Sequence, residues 1–226
     1  MIKVFALIPS RADITKAFFH EHWEGPHGEL AKRITTLRAY VQSHRIEPGV
    51  AGLPESICEG IAEVWFDDVA TAAGMGEDPN YANYALLDEP NFIDTDRLAF
   101  LLSEEQVQLA GAPIAKDDDG VKAMLLLRRA DDMSPADFAE AIRAVKFTDI
   151  VGEAERVTVA VAITDMYADG GEPPFDAIVE LWFGSGDGFE AAWSSSGAQV
   201  LSALDSVVKI GDCAGFLGDE LRVIWS

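Results

Sequence analysis

The chain has 226 residues, of which 49% are hydrophobic, and its 17 Lys and Arg against 39 Asp and Glu give a formal net charge of −22. The apolar fraction is sufficient for the core of one domain or of two small ones. The negative charge disfavours nucleic acid and anionic membranes as partners. No apolar run approaches the length of a membrane span, and the run 4–9 is too short for a signal peptide. We therefore expect a cytoplasmic globular protein.

The first half of the chain is predicted to contain strands and helices in the order β-α-β-β-α-β, which is the ferredoxin-like arrangement. Asp13 is the predicted N-cap of the first helix, and Pro26 is expected to kink that helix because proline removes a backbone donor. The predicted strands are 3–8, 38–46, 60–66 and one between 98 and 109, the predicted helices are 14–34 and 69–87, and 47–55 is a predicted loop.

The same order of elements is predicted again in the second half, after a linker over residues 111–120. Ile61-Ala-Glu-Val-Trp-Phe66 resembles Ile178-Val-Glu-Leu-Trp-Phe183, at a shift of 178 − 61 = 117. Ala99-Phe-Leu and Gly215-Phe-Leu agree at 215 − 99 = 116. Two matches at nearly one shift indicate a duplication. We expect ferredoxin-like repeats at 1–110 and 121–226, packed sheet to sheet, since each open sheet needs cover. The predicted elements of the second repeat are strands 121–127, 156–165, 175–183 and one between 214 and 225, with helices 134–145 and 189–207.

All four histidines, His20, His22, His27 and His44, lie between Phe18 and Arg45. Histidine is the side chain whose ordinary pKa lies near neutral, so this stretch is the favoured place for proton transfer. His20 and His22 are two apart on a helix and point to different sides, which argues against a shared metal. Cys58 and Cys213 are isolated and indicate neither a zinc site nor a disulfide framework. We predict no metal and no cofactor.

Strand periodicity places Tyr40, Gln42 and His44 on one face of the second strand, and Glu63 and Trp65 on one face of the third. If the aliphatic faces pack on helices, both polar faces point into the barrel, where they need hydrogen-bond partners. Aligning Arg38 with Arg156 puts Thr158, Ala160 and Ala162 opposite the first polar face, which would leave room for a ligand. The alternative is that Tyr40 and His44 are ordinary core polar residues or face solvent.

Several motifs of the first half resemble the EthD-type family of the dimeric α+β barrel group. The motifs are Phe19-x-x-x-Trp23-x-x-x-His27-Gly28, Tyr40-Val-Gln-Ser-His44, Ala62-Glu-Val-Trp-Phe66 and Asp88-Glu-Pro-Asn-Phe-Ile-Asp94. Members usually dimerise to close a barrel, so the resemblance implies an intramolecular barrel here and leaves a homodimer open. The second repeat has neither His nor Trp over 136–152, which implies one competent pocket in each chain.

The resemblance implies cofactor-free chemistry on small aromatic or polyketide-like molecules, and fold transfers better than reaction. Our leading hypothesis is a lyase, a decarboxylase or dehydratase, because such a substrate can itself hold the developing charge. His27 and His44 would be the acid and base, Tyr40 a donor, and Trp23, Gln42, Glu63 and Trp65 the substrate-binding residues. The alternatives are a cofactor-free monooxygenase or isomerase, a non-catalytic binding protein, and a haem protein that a Soret band would reveal.

Overall fold

The computed structural model describes residues 1–47, 52, 55–112, 114–117 and 120–225, and its eight strands form a closed barrel. The hydrogen-bonded order is β1-β3-β2-β8-β5-β7-β6-β4. The strands are β1 Ile2–Ile8, β2 Ala39–Arg45, β3 Gly60–Phe66, β4 Ala99–Leu109, β5 Val121–Leu127, β6 Arg156–Ala162, β7 Ala177–Phe183 and β8 Ala214–Ile224. The predicted fold class, an α+β protein with two tandem ferredoxin-like repeats in an intramolecular barrel, is confirmed.

The helices follow the strands in the predicted β-α-β-β-α-β order, once in each half. The α-helices are α1 Lys16–His22, α2 Gly28–Ala31, α3 Val69–Ala73, α4 Leu86–Asp88, α5 Pro135–Ala144, α6 Phe147–Ile150 and α7 Gly186–Leu204. Trp23–His27 and Tyr81–Ala85 are π-helical, and Gly74–Glu77, Glu89–Asn91, Thr164–Gly170 and Ile210–Asp212 are 3₁₀-helical. Among the described residues, no helix has both the length and the apolar character needed to cross a membrane.

The chain divides into two compact units. The first comprises Met1–Arg45, Ile57–Leu102 and Glu220–Ser226, and the second comprises Ile46–Ser56 and Ser103–Asp219. The repeat boundaries at residues 110 and 121 stay a prediction. Of the loop predicted over 47–55, residues 48–51, 53 and 54 lie outside the described residues, as do 113, 118 and 119 of the predicted linker.

The helical segment after β1 consists of two α-helical pieces, α1 and α2, joined by one π-helical turn. Its N-cap is Thr15, whose hydroxyl accepts from the Phe18 amide at 3.1 Å, and not Asp13, which pairs with Arg11 instead. The expected disturbance at Pro26 takes the form of the π-helical turn Trp23–His27 between α1 and α2. Proline has no amide hydrogen to donate, and a π turn accommodates that loss.

Strand register corrects the prediction that both polar faces point into the barrel. Tyr40 pairs with Val64 and Gln42 pairs with Ala62, whereas Glu63 pairs with Val41. Directly paired residues of an antiparallel ladder point to the same side. Tyr40, Gln42 and His44 therefore lie on the opposite face of the sheet from Glu63 and Trp65. The first face is covered by the helices, since Tyr40 and Gln42 both hydrogen-bond to Trp23.

Register also corrects the alignment of the two repeats by one residue. Ala39 pairs with Trp65 and Arg156 pairs with Trp182, so Arg156 corresponds to Ala39 and not to Arg38, at the same shift of 117 as the flanking strands. A slip of one residue exchanges the faces of a strand. The counterparts of Tyr40, Gln42 and His44 are consequently Val157, Val159 and Val161, and the small residues Thr158, Ala160 and Ala162 lie on the other face.

The second unit buries one large apolar cluster on its helix-covered face. Leu125, Val159 and Val179 of three neighbouring strands pack there with Phe138 and Phe147, and all five are fully buried. Strand β6 ends at Ala162 and a 3₁₀ segment begins at Thr164, so the strand predicted to reach Asp165 is three residues shorter, 165 − 162 = 3.

Candidate functional site

A cavity of about 380 Å³ lies in the first unit, between the sheet and the helices that cover it. Its walls are mainly small and aliphatic side chains, and its exposed lining residues Ala73, Gly76 and Phe100 mark its opening. Its polar lining side chains are Trp23, His27, Tyr40, Tyr81 and Glu89. An apolar cavity with a few converging polar groups is the usual form of a small-molecule site.

His27 lies at the end of the π-helical turn, is 8% exposed, and is oriented by Asp88. Its Nδ1 is 3.0 Å from Asp88 Oδ2, and His22 Nε2 lies 3.0 Å from Asp88 Oδ1. Asn91 donates to the same carboxylate at 2.9 Å. The carboxylate can only accept, so His27 carries its proton on Nδ1 and leaves Nε2 as a bare acceptor.

The pKa values of this pair keep His27 neutral and Asp88 charged. Burial lowers the pKa of His27, and its contact with Asp88 offsets only part of that effect. Burial raises the pKa of Asp88, but the hydrogen bonds from Asn91, His22 and His27 outweigh it and leave the pKa below its usual range. A neutral imidazole held by a carboxylate is the arrangement of a general base.

The hydroxyl of Tyr40 is a hydrogen-bond donor of fixed direction. It accepts from Trp23 Nε1 at 2.9 Å and from Gln42 Nε2 at 3.0 Å, which uses both of its lone pairs. Within the described part of the chain, no acceptor is paired with its proton. Tyr40 is 3% exposed, and burial raises its pKa well above the ordinary value, so the phenol keeps that proton. It can therefore donate to an oxygen of a molecule in the cavity.

Glu89 supplies the cavity with a carboxyl group that is protonated in part at neutral pH. It is 8% exposed, and Tyr81 Oη donates to its Oε1 at 2.9 Å. Burial raises the pKa of Glu89 to about 7, the hydrogen bond from Tyr81 lowers it in part, and the charge of Asp88 raises it. A carboxyl group with this pKa can act as acid or base near pH 7.

Among the predicted site residues, the structure brings Trp23, His27 and Tyr40 together in the lining of the cavity. Trp23 packs closely over Gly60, where a Cβ atom would come within 2.3 Å of the indole ring. Gln42 and His44 lie behind Trp23 and Tyr40 and do not line the cavity. Their roles as binding and catalytic residues stay predictions.

Glu63 and Trp65 lie away from the cavity, on the other face of the sheet. Glu63 is fully buried, accepts from Ser43 Oγ at 2.7 Å, and pairs with Lys3 Nζ at 2.9 Å. Lys3 Nζ also lies 4.5 Å from the centre of the Trp65 ring. Glu63 and Trp65 thus belong to a buried ion-pair cluster on the other face of the sheet, and neither residue lines the cavity.

Asp88, Glu89 and Tyr81 are the site residues that sequence reasoning did not select. Asp88 and Glu89 begin the motif 88–94, on which the family resemblance partly rests, so the signal was present. The pKa of Glu89 is shifted mainly by burial, which the local sequence does not reveal. Among the described residues, no group of three or more His, Cys, Asp or Glu side chains is placed to hold a metal ion.

Comparison with known families supports the predicted resemblance. Residues 11–96 match the family model described as "EthD domain". This range includes Trp23, His27, Tyr40, Tyr81, Asp88 and Glu89. The EthD-type resemblance is thus confirmed for this part of the chain. No curated protein sequence matches the chain.

Solved structures share the fold over nearly the whole length. An anthrone oxidase-like protein has a TM-score of 0.69 at 11% identity, covering 98% of this chain and 93% of its own. A candidate monooxygenase from Lactobacillus acidophilus NCFM has a TM-score of 0.53 at 11% identity, covering 98% and 93%. Another from Fusobacterium nucleatum has a TM-score of 0.57 at 8% identity, covering 98% and 91%. At these identities the likeness shows the fold.

Proposed function

We propose that this protein, EthD-like over residues 11–96, is a cofactor-independent lyase that acts on a small aromatic or polyketide-like molecule. The observation that carries the proposal is the set of polar groups in the apolar cavity: a bare imidazole nitrogen, a directed phenol and a carboxyl group with a pKa of about 7. They can act as a general base, a hydrogen-bond donor to a substrate oxygen, and a general acid. Of the two lyase reactions predicted, the elimination of water uses all three groups.

The substrate class that fits is a small cyclic β-hydroxy ketone. Tyr40 donates to the carbonyl oxygen, where negative charge develops. His27 Nε2 removes the proton from the carbon beside the carbonyl. The bond from the next carbon to its hydroxyl then breaks, and Glu89 protonates the leaving oxygen to give water. Solvent afterwards returns the proton from His27 to Glu89. The apolar walls hold the ring in position and exclude water.

Decarboxylation of a β-keto acid remains within the proposal because it needs the same donor. Loss of carbon dioxide leaves an enolate, which Tyr40 would stabilise and a protonated Glu89 would protonate on carbon. A cofactor-free monooxygenase would begin with the same removal of a proton by His27 and would then consume oxygen. The three reactions differ in what they release or consume.

The test is a panel of bicyclic aromatic β-hydroxy ketones and β-keto acids, assayed for a new conjugated absorption band, for carbon dioxide and for oxygen uptake. We expect the absorption band without oxygen uptake, and its loss in the His27→Gln variant. Oxygen uptake in proportion to substrate would replace the lyase by the monooxygenase. Saturable binding of panel members with no product would instead favour the non-catalytic binding protein.

A further inference from the structure

A row of four hydrogen-bonded side chains runs behind the cavity from Tyr40 to His20. We call Tyr40, Gln42, His44 and His20 the Tyr40 row. Gln42 Nε2 lies 3.0 Å from Tyr40 Oη, and Gln42 Oε1 lies 3.1 Å from His44 Nε2. His44 Nδ1 lies 2.9 Å from His20 Nδ1. The Trp23 ring packs against His44 at a tilt of 40°, with ring centroids 4.5 Å apart, and this contact joins the row to the helical segment.

The direction of every hydrogen bond in the row follows from one backbone carbonyl. Gln42 Nε2 lies 2.8 Å from the carbonyl oxygen of Trp23, which can only accept, so this atom is the amide nitrogen. The amide oxygen then faces His44 Nε2, which must donate. Burial, and then the neighbouring His20, lower the pKa of His44 to about 3, so the ring is neutral and its Nδ1 accepts from His20.

The amide of Gln42 has no hydrogen left for any other partner. One of its two hydrogens binds the Trp23 carbonyl and the other binds Tyr40 Oη. Since the Trp23 indole occupies the second lone pair of Tyr40, the phenol cannot accept a further hydrogen bond. The amide is not titratable, so the row orients Tyr40 and does not pass protons along it.

The fold itself does not require polar residues at these positions. In the second unit the counterparts are Val157, Val159 and Val161, all of them buried. His20 corresponds to Ala139, because each lies five residues after its N-cap, 20 − 15 = 5 and 139 − 134 = 5. Valine at such positions gives a well-packed core with no polar group to satisfy.

We propose that Gln42, His44 and His20 are positioning residues that hold the Tyr40 hydroxyl as a one-way donor to the carbonyl or phenolate oxygen of a molecule in the cavity. The inference rests on the proposed function, in which Tyr40 meets the substrate oxygen. It also assigns a specificity: the cavity prefers a molecule with an acceptor oxygen over the matched hydrocarbon. His44 then acts through Gln42 and not as the acid or base that the sequence suggests.

The test uses 1-tetralone, a bicyclic aromatic ketone, and the infrared C=O stretch of the bound molecule. In the wild-type protein we expect this band at lower wavenumber than in an apolar solvent, and in Tyr40→Phe we expect the solvent value. Gln42→Met keeps the volume but has no amide, and it should lose most of the shift and bind roughly 3- to 10-fold more weakly, the range of one hydrogen bond.

A matched pair at His44 separates position from mere packing. In His44→Gln the amide nitrogen comes near the place of Nε2 and can still donate to Gln42, so the band should keep its wild-type position. In His44→Asn the shorter amide comes near Nδ1, so the band should move toward that of Tyr40→Phe. Equal band positions in the two variants, together with an unmoved band in Gln42→Met, would overturn the inference.

A second measurement needs no ligand. In protein labelled with 3-fluorotyrosine, the Tyr40 resonance is the one lost in Tyr40→Phe. His44→Asn and Gln42→Met should shift it and His44→Gln should not, and an unmoved resonance in all three would also overturn the inference. If 1-tetralone binds to no variant but the resonance shifts as expected, the positioning row stands and the proposed substrate class is wrong.

Discussion

The same face of the sheet is a cavity wall in the first repeat and a packed core in the second. Val157, Val159 and Val161 are the counterparts of Tyr40, Gln42 and His44. The positions of β1 and β3 likewise correspond to positions of β5 and β7. Ile2 of β1 pairs with Phe66, the last residue of β3, and Val121 of β5 pairs with Phe183, the last residue of β7. Ala6 therefore corresponds to Leu125.

The exchange of a few side chains accounts for the difference in volume. Ala6 and Ala62 line the cavity of about 380 Å³, whereas Leu125 and Val179, their counterparts, are fully buried in the apolar cluster. Leucine and valine in place of alanine fill the equivalent space. Since one fold accommodates both arrangements, the fold does not require the cavity or its polar groups.

The largest difference between the two repeats is expected from substitution of His27, which has no catalytic counterpart in the second repeat. His27→Ala should lower kcat/KM on a substrate from the ketone panel by about 10²–10⁴-fold, the usual contribution of a general base. The control is Lys146→Ala, because Lys146 lies twelve residues after the N-cap Ser134, as His27 does after Thr15. Lys146 is exposed, and its variant should keep wild-type activity. Circular dichroism checks that both fold, and a folded, fully active His27→Ala variant would contradict the assignment.

The two repeats should respond in opposite ways to a change of volume. Leu125→Ala should lower the free energy of unfolding by about 2–5 kcal/mol, as buried leucine truncations do, and leave 1-tetralone affinity unchanged. Ala6→Leu should weaken 1-tetralone binding by at least tenfold with little loss of stability. Urea unfolding and calorimetric titration measure the two effects. If Ala6→Leu binds 1-tetralone as tightly as the wild type, the cavity is not the site.

The secondary structure was largely predictable because the strands alternate and turn residues separate them. β3 and β5 have the predicted bounds, and both repeats follow the predicted order. The errors concerned strand faces, which a shift of one residue in alignment reverses. Alignment through Arg38 and Arg156 moved β2 by one residue, and no pattern within a single strand reveals which face meets the helices. Cross-strand register, a long-range property, decides it.

The candidate site was predictable in part, for a similar reason. Trp23, His27 and Tyr40 belong to recognisable motifs and do line the cavity. Glu89 was part of a quoted motif, yet its chemistry depends on a pKa raised by burial, and no local pattern in the sequence shows that this side chain is buried. Glu63 and Trp65 had the residue types expected of a site but occupy the opposite face.

The buried carboxyl group of Glu89 in the first unit should make the stability of the protein depend on pH. Asp176 in the second unit is paired with Arg129 Nη1 at 2.5 Å, whereas the neutral Tyr81 is the side-chain donor to Glu89 among the residues that the structure describes. The pKa of Glu89 in the folded protein is raised, so its contribution to stability is fully present below its ordinary value of 4.5 and is lost as the pH rises through about 7.

Glu89→Gln removes this dependence. At about 1.4 kcal/mol for each pKa unit, the wild type should lose about 3 kcal/mol relative to Glu89→Gln between acidic and alkaline pH. Urea unfolding of both proteins over that range gives the difference directly. Parallel stability curves for the two proteins would show that the pKa of Glu89 is not raised.

The smallest effect concerns the phenol that donates to Glu89. The hydrogen bond from Tyr81 lowers the pKa of Glu89, so Tyr81→Phe should raise that pKa further above about 7. A hydrogen bond of about 0.5–1.5 kcal/mol corresponds to roughly half to one pH unit. Because the proposed elimination needs a protonated Glu89, the alkaline limb of the pH–rate profile should move upward by that amount.

The matched control for this shift is Tyr167→Phe in the second unit. Tyr167 Oη donates to Asp176 at 2.7 Å, so both variants remove a phenol hydroxyl bound to a buried carboxyl group. Tyr167 lies outside the cavity lining, and its variant should leave the profile in place. A profile that moves downward in Tyr81→Phe, or equally in both variants, would remove Glu89 from the acid role, because only the loss of a donor at the reacting carboxyl group raises its pKa selectively.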